Sequence, residues 1–336
     1  MNDVELSVLM CTYNSEEYIS ETIESILTQT FDAFEFIIVD DGSTDGTEAV
    51  IKSFQDSRIK YYKLSKNVGV GKASNYGLKK VIGKYIARVD SDDKYDKKRF
   101  EKQKDFLDKN KDICIVGSLS EYFCGNKNSE RYKYCKNYIE KQNNSILTEK
   151  DMHEKLYWYC CLINSSIMAR AEVIKKYGYG NFRIGEDYKL FYELNKKGYK
   201  ITNINEVLCE IRVSDKSVCS TSTLEVYKVL YEIKKEEIKN LFKSDDREIY
   251  IWGAGGLGKN LYNIFKENGF QISGFVDGAE EKWNTTIFNM TVRSPYEVIN
   301  SSKNIKVVVA SEPGRFSIVK YLKSVKYNNL IDYLAF

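Results

Sequence analysis

Short apolar runs alternate along the first ninety residues with segments whose apolar positions recur at helical spacing. Leu6–Met10 is apolar almost throughout and reads as a strand. Ile19, Ile23, Ile26 and Leu27 then share one helix face, and Asn14 with Glu17 three residues on has the form of a capping box at its start. FEFIIV, Phe34–Val39, is a continuous apolar run of the kind that forms a strand covered on both faces. It stops at DDGSTDGT, where Asp45 and Glu48 are placed to cap a helix carrying Val50, Ile51 and Phe54. Ile59–Leu64 reads as a third strand, NVGVGKASNYGL leads into a helix reaching Ile82, and Tyr85–Asp93, YIARVDSDD, supplies a fourth strand with an acidic end.

This alternation predicts an α/β fold, a mostly parallel sheet with helices on both faces. Ligands of such sheets bind beyond the carboxyl ends of the strands, where strand order reverses. CTYN, DDGS and DSDD all fall at strand carboxyl ends, so they are expected to converge although they are far apart in sequence.

From about Thr221 the texture changes. Leu224, Tyr227, Leu230, Tyr231, Ile238 and Leu241 keep helical spacing against a densely charged opposite side, which predicts a connecting helix over 221–245. The expected organisation is a first domain over 1–220 and a smaller Rossmann-like α/β domain over 246–336. That domain starts with EIYIWGAGGLGKNLYNIF, in which Gly253, Gly255 and Gly258 fit G-x-G-x-x-G between a strand and a helix; Asp277 ends the next strand. The four residues are a candidate second nucleotide site. The same loop nearly has the spacing of a P-loop, but Asn260 stands where a Ser or Thr hydroxyl is needed.

Composition narrows the classes. Of 336 residues, 51 are Lys or Arg and 48 Asp or Glu, a balance too even for a nucleic-acid binder recognised by charge. The eight cysteines contain no C-x-x-C pair and there is one histidine, His153, so a structural zinc is not expected. The first residues are acidic where a signal peptide needs cations, and no apolar run nears the ~20 residues that span a bilayer. A reduced, cytoplasmic chain is expected.

Asp90, Asp92 and Asp93 crowd three carboxylates into four positions. Mg²⁺ and Mn²⁺ take oxygen ligands, often one or two carboxylates with substrate phosphates completing the shell, and such an ion relieves the repulsion. Taken alone, D-x-D also fits an acidic solvated loop.

Its neighbours change that balance. SVLMCTYNSEEYISETIESILTQTF with EFIIVDDGSTDGT, then NVGVGKASNYGLKKVIGKYIARVDSDD, then GEDYKLFYELNKKGYKI, resemble in order the segments of family 2 glycosyltransferases of the GT-A fold, over residues 4 to 220. The resemblance implies a hexosyltransferase-type enzyme, metal-dependent with Mn²⁺ or Mg²⁺, that transfers a sugar with inversion from a nucleotide-sugar, a UDP-sugar foremost. The acceptor it implies is a hydroxyl of a surface polysaccharide or lipid-linked saccharide. It places Thr12 and Tyr13 beside base and ribose, Asp41 on the base and Asp40 towards the ribose. On the nucleotide-sugar site, Gly69 and Gly71 allow close backbone approach, and Lys72 and Asn75 are candidates for phosphate or sugar contacts. Asp90 and Ser91 fall on the donor side of D-x-D, and Asp92 with Asp90 on the metal. Asp187 matches the base, with Glu186 the other candidate.

Two departures stand out. Asn164 and the stretch Arg212–Ser214 occupy places where many relatives carry His, which bears on metal affinity and acceptor type. The competing class is a non-catalytic nucleotide-sugar binder within a glycan-assembly complex. A nucleotidyltransferase is disfavoured because CTYNSEE lacks Lys and Arg for a triphosphate. Expected partners are the donor, the glycan acceptor and an assembly or membrane surface at the inner face, with no nucleic acid.

Overall fold

FEFIIVD is buried at every position, as its unbroken apolar character requires, and it lies inside a sheet covered on both sides. In a computed structural model, which describes residues 4–214, 223–301 and 305–336, the chain divides into two units. The first comprises Met1–Leu156 and Cys160–Thr221, the second Tyr157–Tyr159 and Ser222–Phe336.

The strands of the first unit are β1 (Leu6–Thr12), β2 (Phe34–Asp40), β3 (Ile59–Lys63), β4 (Tyr85–Asp90), β5 (Lys94–Tyr95), β6 (Ile113–Phe123), β7 (Met168–Arg170) and β8 (Lys200–Arg212). They form one sheet in the order β3-β2-β1-β4-β7-β6-β8-β5. β1, β2, β3 and β4 run parallel, with helices Ile19–Leu27, Thr47–Ser53 and Val70–Leu78 as their crossovers. Each large side chain fully buried here, such as Phe36 or Ile38, contributes about 1.5–3 kcal/mol of burial.

β7 is only three residues long, yet it joins the two halves, antiparallel to β4 on one side and to β6 on the other. Side chains rivet that seam. Arg99 donates to the carbonyls of Arg88 and Ile167 (2.8 and 3.0 Å), and Gln103 to those of Val116 and Ser166 (3.3 and 2.7 Å). Arg170 donates to the carbonyls of Leu107, Asn110 and Ile113.

The second unit has β9 (Glu248–Trp252), β10 (Gly274–Val276), β11 (Thr286–Ile287), β12 (Met290–Arg293), β13 (Ile305–Val309) and β14 (Tyr333–Ala335). They make a second sheet, β11-β12-β10-β9-β13-β14, parallel except for the β11–β12 pair.

Besides the helix expected to reach Ile82, which ends at Leu78, local expectations failed in two places. Asn14 does not cap the first helix: it sits at φ 50°, and its Oδ1 accepts the N–H of Thr44, tying the CTYN loop to DDGST. The segment expected as one connecting helix forms two, Thr223–Ile233 and Lys235–Lys243. They break at Lys234, whose buried ammonium donates to the carbonyls of Trp158 and Ala335. No helix among the described residues is long and apolar enough to cross a membrane.

Candidate active site

Parallel pairing sets the carboxyl ends of three strands level. Thr12 of β1 lies opposite Asp40 of β2, and Cys11 opposite Asp90 of β4. The loops beyond them are tied together, the hydroxyls of Ser15 and Ser91 lying 2.8 Å apart. Thr12 is buried and its Oγ1 has no hydrogen-bond partner among the described residues, whereas the Tyr13 ring is half exposed. A cavity of about 250 Å³ opens here, lined by Cys11, Thr12, Tyr13, Asp41, Gly69 and Arg183 among others. A larger one, about 740 Å³, lies on the far side of Tyr13 and is lined by Ser91, Asp92 and Arg212 with the loops around them.

The two acids of VDDGS have different surroundings. Asp41 lines the smaller cavity while its two oxygens accept the N–H groups of Val68 and Gly69, both at 2.8 Å. It therefore shapes the NVGVG turn as well as the cavity wall. Asp40, expected towards the ribose, is wholly buried, with Oδ1 taken by the N–H of Ser43 and Oδ2 by the hydroxyl of Tyr61, both at 2.7 Å. It braces the loop and lines neither cavity.

The helix Val70–Leu78 also departs from expectation. Asn75 spends its amide on the backbone of Tyr179, donating to the carbonyl at 2.9 Å and accepting the N–H at 2.8 Å. Gly71 is required by the chain itself, because a Cβ there would meet the carbonyl oxygen of Gly180 at 2.1 Å and Glu186 Cβ at 3.1 Å. Lys72 is exposed and lines neither cavity. Asn75 and Gly71 thus dock the 178–186 segment rather than reach for phosphate. Gly71→Ala is expected to cost about 1–3 kcal/mol through overpacking and to displace Glu186. Thermal unfolding alongside a transfer assay checks this: activity should fall further than stability alone explains.

That docking brings GED to the D-x-D turn. Gly185, left-handed at φ 75°, starts the helix Glu186–Lys196. Burial, then the neighbouring charge of Asp187, pushes Glu186 up to about 8. Burial also raises Asp187, and Asp90 adds to the shift of both acids. Asp187 Oδ1 accepts the N–H of Tyr188 at 2.7 Å. Asp90, at the end of β4, is 46% open, and burial raises it against the opposing pull of Arg88 and Arg99. Burial, then Asp90, pushes Asp92 up to about 6.

Asp93 is buried and engaged, accepting the hydroxyl of Ser165 and the N–H of Arg212. That leaves Asp90 and Asp92 as the open carboxylates of the turn. Burial raises the proton affinity of both, and Asp90 adds to that of Asp92, a repulsion that a bound cation would relieve. Among the described residues no group of three or more His, Cys, Asp or Glu is gathered to hold a metal. The residues present fit an ion that takes two protein carboxylates and completes its shell with phosphate and water, not one caged by protein.

Sequence reasoning missed Arg88 and Arg183 and gave Arg212 no role of its own. Arg88 is fully buried beneath the acids, with Nη1 on the carbonyl of Leu9 (3.0 Å), Nη2 3.9 Å from Asp90 and its guanidinium over the ring of Tyr179. Its Nε and Nη2 have no hydrogen-bond partner among the described residues. A lone arginine inside the otherwise apolar run YIARV was the available signal, since a buried cation needs anions nearby. Arg183 lines the smaller cavity from the docked segment. Arg212 donates to the carbonyl of Asp92 at 2.9 Å and stacks its guanidinium over Tyr18 and Phe123. Arg212 thus braces the D-x-D turn, while Asn164 Oδ1 is buried without a hydrogen-bond partner among the described residues. His153 pairs with Asn195, away from the acids.

In the second unit, Gly253 and Gly258 answer to the chain's own packing. A Cβ on Gly253 would meet the carbonyl oxygen of Ala310 at 2.1 Å, and one on Gly258 the carbonyl oxygen of Gly253 at 1.9 Å. A Cβ on Gly255 would meet nothing. Asp277 accepts the N–H groups of Ala254 and Ala279 and the ammonium of Lys282, so both of its oxygens are engaged within the unit.

Comparison with known proteins gives this geometry a context. The putative teichuronic acid biosynthesis glycosyltransferase TuaG of Bacillus subtilis is 29% identical over 248 residues, 71% of this chain and 91% of that protein. Among solved structures, S. aureus TarS 1-349 in complex with UDP-GlcNAc superposes with a TM-score of 0.53 at 22% identity, over 70% of this chain and 66% of that one. The mannosyltransferase PcManGT from Pyrobaculum calidifontis, in complex with GDP-Man and Mn²⁺, does so at 0.54 and 16% identity, over 70% and 64%. The chain spans about two thirds of the length of these two structures, and the likeness carries the fold: the first unit is GT-A. The family described as glycosyl transferase family 2 matches residues 7–178, just over half of the sequence and the whole stretch from β1 through D-x-D to the docked segment. The chain belongs to that family and is a glycosyltransferase.

Proposed function

We propose that this glycosyltransferase moves a sugar from a UDP-sugar to a hydroxyl of a polysaccharide or lipid-linked saccharide, with inversion at the anomeric carbon. The observation that carries the reading is the gathering of Asp90, Glu186 and Asp187 around Arg88, beside a base-sized cavity walled by Thr12, Tyr13 and Asp41. The nucleobase lies against Tyr13 and Asp41, and the unpartnered Thr12 hydroxyl supplies a contact to the nucleoside. Asp90 and Asp92 hold Mn²⁺ or Mg²⁺, which when bound neutralises charge on the leaving diphosphate. Glu186, at about 8, is protonated at neutral pH. Asp187, fixed by the Tyr188 N–H, takes the proton of the acceptor hydroxyl as that oxygen attacks. UDP and its sugar are favoured by the complexes of TarS, and a polysaccharide acceptor by the pathway in which TuaG is named. Action at the cytoplasmic face of a membrane fits an acceptor on a lipid carrier.

The test is donor binding and hydrolysis across UDP-, GDP-, CDP- and dTDP-sugars, with and without Mn²⁺, in the native chain and in Asp92→Ala. Metal-dependent binding of UDP-sugars, lost in the variant, is the expected result. Equal binding in the variant removes the metal assignment. Binding without turnover towards any saccharide acceptor favours a non-catalytic donor binder.

A further inference from the structure

The second unit contains a cavity of about 430 Å³, within the range of small-molecule sites. Its position follows from the topology. β9 and β13 are adjacent and parallel, with Trp252 opposite Val309. The helix Gly256–Glu267, which follows β9, packs on the sheet face of Ile249 and Ile251, whereas Pro295–Ser301 and Arg315–Ser324 pack on the face of Tyr250 and Trp252. The chain leaves β9 towards β10 and leaves β13 towards β14, in opposite directions along the sheet. That reversal opens a crevice at the strand carboxyl ends, where α/β sheets take ligands.

The lining has two kinds of chemistry. Trp252, Tyr296 and Tyr321 stand edge to face, with ring centres 5.2–6.5 Å apart, and form an aromatic wall. Lys282 brings an ammonium, which pairs at 3.0 Å with Asp277 on the same lining, and Ser311 and Ser317 bring hydroxyls. The helix Arg315–Ser324 begins at the same rim with no acid in its first turn, so its positive end faces the cavity. A flat ring against the wall and an anion at Lys282 match these groups together.

We infer that this cavity is a second ligand site, for a nucleoside 5′-phosphate, with its base on the Trp252–Tyr296–Tyr321 wall and its phosphate at Lys282. It is not a dinucleotide site of the G-x-G-x-x-G kind. Asp277, which would take ribose hydroxyls there, is consumed by Ala254, Ala279 and Lys282, and the glycines at 253 and 258 are needed by packing. The site is independent of the sugar-transfer reading.

The experiment uses the full chain carrying Asp92→Ala, in EDTA, so that metal-dependent donor binding does not contribute. AMP, ADP, UMP, UDP, GMP and CMP are titrated calorimetrically, and Lys282→Ala and Ser317→Trp are added singly; Ser317 is exposed, so the indole fills the mouth without entering the core. One nucleotide is expected to bind with one equivalent, about tenfold more weakly in Lys282→Ala and not at all in Ser317→Trp, with the unfolding transition of the parent kept. Either substitution placed in the native chain should leave sugar transfer unchanged. The inference is overturned if none of the six nucleotides binds, or if binding is the same in both variants.

Discussion

Asp187→Asn is expected to lower kcat by about 10²–10⁴-fold while donor affinity changes little. The side chain keeps its shape, and the amide oxygen can still accept the Tyr188 N–H that holds Asp187 Oδ1 at 2.7 Å. What is lost is basicity, which burial has raised in Asp187. Glu186→Gln is expected to have a much smaller effect, because a group pushed up to about 8 is already neutral at pH 7 and the amide reproduces that state. Steady-state kinetics with calorimetric donor binding separate the two. If Glu186→Gln abolishes turnover and Asp187→Asn does not, the assignment is reversed. The raised Asp187 also predicts that kcat/KM rises with pH along an acid limb lying above the ordinary carboxylate range.

The largest stability effect is expected from Arg88. Arg88→Met keeps an apolar stem in the strand and removes the charge beneath three acids. Breaking a buried charge arrangement by deleting one partner typically costs about 3–5 kcal/mol, read as a fall of roughly 10 °C in the melting of the first unit. The pH dependence carries the diagnosis. Arg88 lowers the pKa of Asp90, Glu186 and Asp187, each already raised by burial. Without it all three rise further, and the folded state holds their protons more tightly. At pH 5 the acids can meet the loss by staying protonated; as pH rises through about 8, where Glu186 ionises in the native chain, they cannot. The gap between native and variant should therefore widen from pH 5 to pH 9. A gap of constant size would mean that lost packing, including the Leu9 carbonyl left without its donor, accounts for everything.

What was legible in the sequence was whatever depends on neighbours in sequence. Unbroken apolar runs gave away the inner strands, and polar clusters at their ends gave away the site, since parallel pairing levels those ends whatever the loops between them do. The misread residues are those whose partners are distant. Asp40 looks identical to Asp41 until Tyr61 is seen to bind it. Asn75 looks like a phosphate ligand until Tyr179, more than a hundred residues on, takes both ends of its amide. Gly71 suggested room for a ligand, and the room belongs to Gly180. The break at Lys234 was hidden because a lysine within a charged helical stretch looks exposed, and only the carbonyls of Trp158 and Ala335 make it a core residue.

The three-residue strand β7 has a consequence for the chain as it is made. The strands from β1 to β4 are complete once Asp90 has emerged, and β6 once Phe123 has. Until Met168–Arg170 follow, β4 and β6 each present a bare hydrogen-bonding edge. At about 5–20 residues per second, the roughly 80 residues between Asp90 and β7 keep the β4 edge open on the ribosome for about 4–16 s. Exposed edges of this kind recruit other strands, so the interval is a window for mispairing between nascent chains on one messenger. Arg99 and Gln103 emerge early within it, and the carbonyls of Arg88 and Val116 are already present for them to hold before those of Ile167 and Ser166 arrive. The rivets of the finished seam are thus in place to shield the two edges before the strand that joins them exists.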